Sequence, residues 1–355
     1  MDKVFIFAEI GRTPSSSGAS ERLLIDIQDF MKNNSKYQEI TLFFYPIFYH
    51  KQFLKWLFNV RIMNHEKYLL MNSTSIKLIR DFFYIGSFLF FKFKLKPKNI
   101  YFYNLNKLQI KILFFLKIFI KLEINLIQAD GYLLDKSLCS IFKNIIVFSQ
   151  YSYDLYNTYK VAKIVYSYPC ITFDYETKFE RKKSLNPKFV HSGSISEYNI
   201  SKKALDFLNK FCINNPKAEF VFTTNQRLLP NYFTKFIDSA PNNFKLYKDL
   251  SPTQLEIVLS NANFGLDLRN FDNNYKESSF CDFPSKVILY LKNNLYILST
   301  HSISIPNEIK KKLFSIDQLE ILFHQNTSIP DIKIDNILEI INKNSLDKAL
   351  FNTFE

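Results

Sequence analysis

Short apolar runs alternate with amphipathic stretches through the first half of the chain. Residues 4–10 (VFIFAEI) form a continuous apolar run, which is typical of a parallel strand buried on both faces. Residues 21–34 follow with the spacing of an amphipathic helix. Further strand-like runs lie at residues 40–46, 99–104, 122–130 and 144–149. This alternation predicts an α/β fold with a doubly wound sheet.

The same alternation begins again after a segment that has no clear period. Residues 168–187 contain two prolines and a cluster of charges, which is typical of a domain boundary. Strand-like runs then follow at residues 188–195, 218–225, 243–250, 263–269 and 295–300. We therefore expect two Rossmann-like domains that face each other across a cleft. The expected parts are residues 1–166, a linker at 167–187, a second domain at 188–330, and C-terminal helices at 331–355 that can cross back to the first domain.

Composition supports a folded, two-domain protein. The 355 residues suffice for two domains, and 47% hydrophobic residues can bury sizeable cores. The four cysteines lie far apart without paired spacing, which favours a reducing compartment. The N-terminus shows no signal-peptide pattern, and the apolar run at residues 82–91 is shorter than the roughly 20 residues needed to cross a bilayer. We expect a cytoplasmic protein that rests on the inner face of the membrane.

Positive charge is concentrated in the first half of the chain. The formal net charge is +13, and residues 1–186 contain 27 Lys and Arg against 15 Asp and Glu. This asymmetry points to a polyanionic partner, such as an anionic membrane, a phosphorylated lipid or nucleic acid. The alternative is a solvated, lysine-rich surface that has no specific partner.

One predicted helix, residues 106–123 (NKLQIKILFFLKIFIKLE), combines basic and apolar side chains on one face. Ile110 and Ile118 share an arc of roughly 120° with a set of basic and aromatic residues. This set consists of Lys107, Lys111, Phe114, Lys117 and Lys121. Such a face suits a membrane interface, where lysines reach the headgroups. The alternative is a core helix whose lysines reach water.

Common catalytic and cofactor motifs are absent from the sequence. It contains no GxGxxG series, no phosphate-binding GxxxxGK[ST] loop, no HExxH pair and no GxSxG elbow. The five histidines are isolated, and only His191 lies near a suspected site. We therefore expect neither a metal site nor a bound cofactor.

The six glycines are scarce enough for their positions to be informative. Gly11, Gly18, Gly131 and Gly193 each follow a predicted strand. In open α/β sheets, ligands bind at the carboxyl ends of the strands, where glycine permits a close backbone approach. The alternative is that these glycines only form tight turns between strands and helices.

Four segments of the second half resemble the donor domain of GT-B nucleotide-sugar glycosyltransferases, of the family-4-like type found in bacterial surface polysaccharide synthesis. They are FVHSGSIS (189–196), AEFVFTTN (218–225), FKLYKDLSPTQLEIVLSNANFGLDLR (244–269) and FPSKVILYLKNNLYILST (283–300). The last segment is similar to the phosphate-binding helix and following strand of that family. Residues 1–166 share only the architecture.

The resemblance implies a donor site at one edge of the second sheet. The diphosphate would be bound by helix N-termini and cations, namely Ser192, Gly193, Ser194, Arg227, Ser285 and Lys286. The base and ribose would contact Tyr247, Lys248, Asp249 and Leu250. The sugar or acceptor would contact Gly11, Gly18, Glu21, Arg22, Asp267 and Arg269. For several of these residues an ordinary loop or surface role remains the alternative.

The chemistry of the reacting centre is less well defined. An inverting enzyme needs a general base, and Asp130 and Glu9 are the candidates because each lies at the end of a predicted strand. Retaining members of the family carry two glutamates separated by seven residues, and Cys281 and Leu289 occupy those places here. Asn294 stands where the family has glycine after the helix, and asparagine also tolerates the left-handed conformation.

These features favour a metal-independent glycosyltransferase that moves a sugar from a nucleotide-diphosphate donor to a capsule, lipopolysaccharide or lipooligosaccharide acceptor. The stereochemistry stays open. Two other classes compete: a basic nucleic-acid-binding protein, and a GT-B-shaped epimerase or non-catalytic homologue. Nucleic-acid binding is disfavoured because no RRM, KH or helix-turn-helix signature occurs.

Overall fold

The architecture is taken from a computed structural model of the chain, which divides into two compact units. The first unit consists of Met1–Thr172, Ser278–Cys281 and Asn344–Glu355, and the second of Phe173–Glu277 and Asp282–Lys343. The structure describes residues 3–10, 19–33, 39–46, 62–64, 68–71, 77–97, 99–129, 133–172, 186–197, 199–200, 202–226, 228–269, 283–300, 307–319 and 334–354.

The described residues of the first unit form an eight-stranded sheet. The strands are β1 (Lys3–Ile10), β2 (Glu39–Pro46), β3 (Ile62–Asn64), β4 (Tyr68–Met71), β5 (Asn99–Tyr103), β6 (Asn125–Gln128), β7 (Asn144–Val147) and β8 (Lys163–Tyr166). Their order is β3-β4-β2-β1-β5-β6-β7-β8, and every pairing is parallel except that of β3 with β4. The chain order reverses between β1 and β5, which makes this a doubly wound sheet.

Helices cover both faces of the first sheet. They are α1 (Ala19–Lys32), α2 (Lys77–Leu95), α3 (Lys107–Phe119), α4 (Lys136–Cys139), α5 (Gln150–Tyr159) and, from the end of the chain, α12 (Leu346–Phe354). Phe5 and Phe7 of β1 pack with Tyr84 and Phe88 of α2 on one face. The other face of β1 packs against α1 and α12. Burial on both faces explains why the strand is apolar at every position of residues 4–8.

The second unit contains a six-stranded sheet among the described residues, and all of its pairings are parallel. Its strands are β9 (Lys188–Ser192), β10 (Glu219–Thr224), β11 (Phe244–Lys248), β12 (Phe264–Asp267), β13 (Tyr296–Ser299) and β14 (Leu313–Ser315). Its helices are α6 (Lys202–Asn214), α7 (Asn231–Ser239), α8 (Pro252–Ser260), α9 (Ser285–Lys292), α10 (Asn307–Lys310) and α11 (Ile334–Lys343).

The strand order of the second sheet is β11-β10-β9-β12-β13-β14. The chain therefore winds outwards from β9 in one direction and then outwards from β12 in the other. Stacked aromatic rings from neighbouring strands, Phe189, Phe220 and Phe264, form the centre of its core. Crevices at such reversal points are the usual ligand sites of open α/β sheets, so a ligand site is expected at the carboxyl ends of β9 and β12.

Side-chain capping boxes fix the starts of two helices. Ser251 caps α8 by accepting a bond from the backbone N–H of Gln254, whose side chain accepts one in return from the Ser251 N–H. Asn106 and Gln109 form the same capping box at the start of α3. Asn294, after α9, adopts the left-handed conformation with φ of 58°, as expected for the residue that replaces glycine. Among the described helices, none combines the length and apolarity needed to cross a membrane.

Candidate functional site

The strands β9 and β12 separate at their carboxyl ends, and Tyr290 of α9 lies between them. Direct pairing ends at Val190 opposite Gly265. Beyond that point, the Ser192 N–H donates a hydrogen bond to the Tyr290 hydroxyl at 2.8 Å, and the hydroxyl donates to the Leu266 carbonyl at 3.4 Å. The hydroxyl therefore joins the two strands where their own hydrogen bonds stop. This arrangement holds the reversal point open at a defined width.

Tyr290 can occupy this position only because residue 265 is glycine. A Cβ atom at Gly265 would lie 2.2 Å from Cδ2 and 2.3 Å from Cγ of the Tyr290 ring. Real Cβ atoms do not approach other carbons this closely, so any side chain at residue 265 would displace the ring. Glycine within the strand is thus explained by close approach of a neighbouring group. Burial raises the pKa of the Tyr290 hydroxyl, which keeps it protonated and able to donate.

The turn that follows β9 is anchored on three sides. The Gly193 N–H donates to the Thr223 carbonyl at 3.1 Å, and the Ile195 N–H donates to the Gln226 side chain at 2.9 Å. Gly193 has φ of 134°, a conformation that side chains rarely adopt. The expectation that Ser192 and Gly193 offer unoccupied backbone donors is wrong, because both N–H groups already have acceptors. The Ser194 hydroxyl accepts from the Asn199 amide at 2.6 Å and is exposed.

The N-terminus of α9 lies in the same unit and carries no side-chain cap. Pro284 occupies the N-cap position and has no side chain that can accept a hydrogen bond. The first helical hydrogen bonds run from Val287 and Ile288 to the Pro284 carbonyl. The helix itself therefore leaves the N–H groups of Ser285 and Lys286 without acceptors, as at any helix start. An uncapped N-terminus with a positive dipole end is an anion-binding arrangement.

Asp267, the last residue of β12, binds two cations. Its carboxylate lies 2.7 Å from Nζ of Lys286 and 2.7 Å from Nη2 of Arg269, whose Nε donates a further bond at 2.9 Å. Asp267 is fully buried, and Lys286 and Arg269 are mostly buried. Burial lowers the pKa of Lys286, and Asp267 opposes this by stabilising the ammonium. The three side chains carry a net charge of +1 next to the uncapped helix start.

This cluster changes the expected roles of its members. Asp267 was expected to contact a sugar, but its carboxylate is enclosed by Lys286 and Arg269, so it holds cations instead. Lys286 is not a free lysine in the first helical turn, because its ammonium is directed to Asp267. Arg269 is further fixed by Thr300, whose hydroxyl donates to the Arg269 carbonyl at 2.7 Å. The Asp267 carboxylate therefore positions both cations.

His191 lies beside this cluster and is completely buried. Neither ring nitrogen has a hydrogen-bond partner among the described residues, and the ring packs 5.7 Å from that of Phe222. Burial and the nearby Lys286 lower the pKa of His191 to about 3, while Asp267 acts in the opposite direction. The imidazole is therefore neutral at physiological pH.

The segment expected to hold the base continues from β11 at the same carboxyl edge of the second sheet. Tyr247, Lys248 and Asp249 are exposed, and Leu250 is partly exposed. The Asp249 N–H donates to the Thr224 carbonyl at 3.0 Å, and Asp249 has φ of 53°. The chain therefore turns sharply there, with its side chains directed to solvent.

The remaining predicted residues belong to the first unit or lie outside the described residues. Glu9 is the second-last residue of β1, at the carboxyl edge of the first sheet, and Glu21 and Arg22 lie in the first turn of α1. Four candidates lie outside the described residues, and these are Gly11, Gly18, Asp130 and Arg227. Their assignments stay predictions.

The basic residues of α3 are all at the surface. The residues predicted to face a membrane are all exposed, and they are Lys107, Lys111, Phe114, Lys117 and Lys121. The expectation that Ile110 shares their face is wrong, because Ile110 is packed in the core against the sheet. One side of α3 is therefore buried. The arc of residues derived from the sequence combined Ile110 of this buried side with residues of the exposed side.

Sequence reasoning missed three residues of the donor-side site. Tyr290 and Gly265 were not assigned roles, although a glycine inside a strand signals close approach by another group. Gln226, which anchors the Gly193 turn, carries no signal in the sequence. The pairing of Asp267 with Lys286 could not be foreseen either, because the two residues lie 19 positions apart in the chain.

No protein-family model and no curated protein sequence matches the chain. Solved structures match it along almost its whole length, and they belong to one structural class. Three of these structures share 12% sequence identity or less with the chain. They therefore show the fold: two Rossmann-like units of the GT-B class. The fold class predicted from the sequence is confirmed.

The individual matches include transferases and an epimerase. A lipopolysaccharide outer core galactosyltransferase, WaaB, matches with a TM-score of 0.62 and 12% identity over 99% of each chain. A trehalose-phosphate synthase from Burkholderia xenovorans, in complex with glucose-6-phosphate, matches with a TM-score of 0.64 and 8% identity. The match covers 100% of this chain and 99% of that chain. A UDP-GlcNAc 2-epimerase from Neisseria meningitidis, bound to UDP-GlcNAc, matches with a TM-score of 0.56 and 11% identity over 99% of each chain.

Proposed function

We propose that the protein is a glycosyltransferase that takes a sugar from a nucleotide-diphosphate donor and transfers it to a surface glycan at the inner face of the cytoplasmic membrane. The observation that carries this proposal is the uncapped start of α9 beside Lys286, Asp267 and Arg269, at the reversal point of the second sheet. Both the helix dipole and the net positive cluster favour a bound diphosphate.

The chemistry follows from the charge that develops on the leaving group. Breaking the bond between the sugar and the diphosphate leaves negative charge on the diphosphate oxygens. In the proposal, the N–H groups of Ser285 and Lys286 and the cations held by Asp267 stabilise this charge. Because these groups are fixed before the donor arrives, no reorganisation is needed during the reaction. We further propose that they replace a metal ion in this role.

The remaining donor contacts are proposed from position. The exposed segment from Tyr247 to Leu250 would hold the base and ribose, and Ser194 and Arg227 would extend the diphosphate site. UDP is the first nucleotide to test, because the matching epimerase is described as bound to UDP-GlcNAc and a further matching structure is described as a complex of MnaA with UDP.

The acceptor is proposed to bind to the first unit. Glu9 at the end of β1 and Asp130 after β6 are the candidate general bases, and either would take the proton from the acceptor hydroxyl if the reaction inverts. Gly11, Gly18, Glu21 and Arg22 are the proposed acceptor contacts. The galactosyltransferase among the matching structures acts on lipopolysaccharide outer core by its title, which supports a surface glycan as the acceptor class.

A direct test compares UDP binding by the wild-type protein and Lys286→Ala, measured by isothermal titration calorimetry. Loss of a charge-assisted contact costs about 1.5–3 kcal/mol, so Kd should rise roughly 10- to 100-fold. Lys203→Ala, which removes an exposed lysine of α6, is the control and should leave Kd unchanged. Equal affinity of wild type and Lys286→Ala would remove Lys286 from the donor site.

Two rival functions give different results in the same preparation. An epimerase would convert UDP-GlcNAc to its 2-epimer without any acceptor, whereas a transferase leaves the donor sugar unchanged until an acceptor is added. The match to a UDP-GlcNAc 2-epimerase makes this assay necessary. A nucleic-acid-binding protein would be stabilised by oligonucleotides and not by any nucleoside diphosphate.

A further inference from the structure

Exposed apolar side chains are concentrated on two helices of the first unit. Among the described residues, thirteen large hydrophobic side chains are exposed, and eight of them belong to α2 or α3. Six of these eight lie within the last six residues of their helix, and they are Phe90, Phe93, Phe114, Phe115, Ile118 and Phe119. Phe119 is 70% exposed and Ile118 is 68% exposed. Their clustering distinguishes them from the isolated exposed apolar residues found on every protein.

The two helices run side by side in the same direction, so these side chains gather at one end of the unit. At the starts of the helices, the Asn106 and Gln109 amides both donate to Asp81. At their ends, Nζ of Lys92 donates to the Lys121 carbonyl at 3.0 Å. Because α3 leads into β6, this end lies at the amino edge of the first sheet. We call it the basic–aromatic end.

The basic–aromatic end also carries six lysines, namely Lys92, Lys94, Lys96, Lys117, Lys121 and Lys143. Nζ of Lys92 lies 5.9 Å from the centre of the Phe93 ring, and Nζ of Lys94 lies 5.7 Å from that of Phe90. Glu123 lies 3.7 Å from Lys121 and offsets part of this positive charge. The two helices themselves contain one acidic residue, Asp81, which is buried at the opposite end. The surface is therefore both apolar and strongly positive.

An open hollow lies beside the end of α3, between that end and residues 140–143. It has a volume of about 580 Å³ and is lined by Lys117, Lys121, Lys143, Phe119 and Glu123, among others. Lys117 closes one side by donating to the Ser140 and Ile141 carbonyls at 2.8 and 3.1 Å. The hollow thus combines a positive wall with an aromatic rim. A phosphate headgroup with its acyl chains beside it has the complementary chemistry.

We propose that the basic–aromatic end docks the protein on an anionic lipid surface, with the phenylalanines inserted at the headgroup level and the lysines among the phosphates. Aromatic residues and lysines with long apolar stems are suited to this interface. The alternation of lysine with phenylalanine, the excess of positive charge and the hollow all favour lipid over a protein partner, whose interface would be depleted of lysine.

The position of this end has a consequence for the acceptor, and here the inference rests on the proposed function. Glu9, one of the acceptor-side candidates, lies near the carboxyl end of β1, and this edge of the first sheet is at the other end of α3. A helix of 13 residues spans roughly 20 Å. A lipid-docked protein therefore keeps its acceptor edge about that far from the bilayer. This geometry favours an acceptor sugar separated from its lipid by other residues, such as the end of a growing glycan.

Vesicle flotation of the full-length protein tests the docking surface. Phosphatidylcholine vesicles with phosphatidylglycerol should bind the protein, and pure phosphatidylcholine vesicles should bind it much more weakly. Substituting Phe115→Ser together with Phe119→Ser should lower the partition coefficient at least tenfold. Substituting Lys94→Gln, Lys121→Gln and Lys143→Gln should lower the partition coefficient about fivefold per lysine. This loss should occur on anionic vesicles alone.

The matched control is Phe82→Ser with Phe83→Ser, which removes two exposed aromatics from the opposite end of α2. This pair should change binding little. An equal loss in the control, or equal binding to both kinds of vesicle, would overturn the proposal. So would self-association that the Phe115 and Phe119 substitutions abolish, since the surface would then join two copies of the chain. Failure to float with intact UDP binding would overturn the docking surface and the membrane location, and it would leave the proposed transfer from a nucleotide-diphosphate donor standing.

Discussion

The hydroxyl of Tyr290 accepts a hydrogen bond from the backbone N–H of Ser192 at 2.8 Å, which ties the first strand of the second sheet to α9. The same hydroxyl donates to Leu266 of β12. One side chain therefore connects all three elements that surround the proposed diphosphate site. The width of the crevice and the position of the Gly193 turn both depend on it.

Tyr290→Phe should weaken UDP binding as well as stability. The substitution leaves the Ser192 N–H without its acceptor in a partly buried place, which costs about 1–3 kcal/mol. The Gly193 turn should then move, and UDP affinity should fall. Chemical denaturation measures the first effect, and calorimetric titration with UDP measures the second.

The control for this substitution is Tyr156→Phe in the first unit. The Tyr156 hydroxyl also joins a backbone N–H, that of Leu134, to an acceptor, the side chain of Gln128, both at 2.9 Å. Its loss should reduce stability by a similar amount and leave UDP affinity unchanged. A fall in UDP affinity of equal size in both variants would show that the effect is general destabilisation.

Asp267→Asn should make the stability of the protein depend more strongly on bound UDP. Removing this carboxylate takes away a counter-charge of the buried Lys286 and Arg269, at a cost of about 3–5 kcal/mol. A bound diphosphate restores negative charge there. The melting temperature of Asp267→Asn should therefore rise more on addition of UDP than that of the wild type, as measured by thermal denaturation.

Glu219→Gln provides the comparison for this effect. Glu219 lies between Lys188, at 2.9 Å, and Lys245, at 3.2 Å, at the opposite edge of the second sheet. It is partly exposed, so its removal should cost about 1 kcal/mol or less. UDP should stabilise this variant and the wild type equally. If UDP stabilises Asp267→Asn no more than it stabilises Glu219→Gln, the cluster does not face the diphosphate.

Gly265→Ala should destabilise the second unit. The new Cβ would overlap the Tyr290 ring, and overpacking of this kind typically costs about 1–3 kcal/mol. Gly86→Ala in α2 is the matched change, because no atom lies within 4 Å of a Cβ built there. Alanine in a helix should stabilise by roughly 0.5–1 kcal/mol. Urea unfolding of both variants should show shifts of opposite sign.

His191 should make stability depend on pH. Its pKa is lowered to about 3 in the folded protein, against 6.5 for the ordinary group. Between these values the unfolded chain binds a proton that the folded chain does not, so stability falls as pH falls. A single histidine contributes about 1.4 kcal/mol per pH unit well below its unfolded pKa.

This contribution is best measured between pH 6.5 and 5, where carboxylates change little. His191→Phe should flatten the dependence of unfolding free energy on pH in that range. The substitution keeps a ring next to Phe222, so the packing is largely preserved. The same slope in wild type and His191→Phe would mean that this imidazole is not the group responsible.

UDP binding should also survive removal of divalent metal ions. The proposed site supplies its positive charge through Lys286, Arg269 and a helix start, all fixed by the fold. Titration with UDP in EDTA and in magnesium should give the same Kd within about twofold. A large loss of affinity in EDTA would assign the diphosphate to a metal ion.

Much of the fold follows from strand-like runs that are buried on both faces. Each of the ten runs interpreted as a strand contains a strand in the structure, because a continuous apolar segment suits a strand that is buried on both faces. Four short strands of three or four residues were not expected, and these are β3, β4, β8 and β14. Segments so short carry no period, and they pair only because a neighbouring strand is already in place.

The site was predictable in part for a physical reason. A proline and a serine that open a helix after a loop have a local signature, so the start of α9 could be located from the sequence. The enclosure of Asp267 by two cations, and the bond from Ser192 to Tyr290, depend on how distant segments meet. Periodicity within one helix also failed to separate Ile110 from Ile118, since it identifies an arc but not which part of the arc faces the sheet.

The last helix of the chain completes the first unit. Leu346, Ala349 and Leu350 of α12 lie in the same apolar layer as Leu24 and Ile27 of α1. During synthesis on the ribosome, this layer stays open until the final residues have emerged, although the unit begins at the N-terminus. The second unit is made, and can fold, before the first is finished. The first unit therefore cannot be completed before residues 344–355 have been made, and a fragment that ends at residue 172 would have an uncovered apolar face.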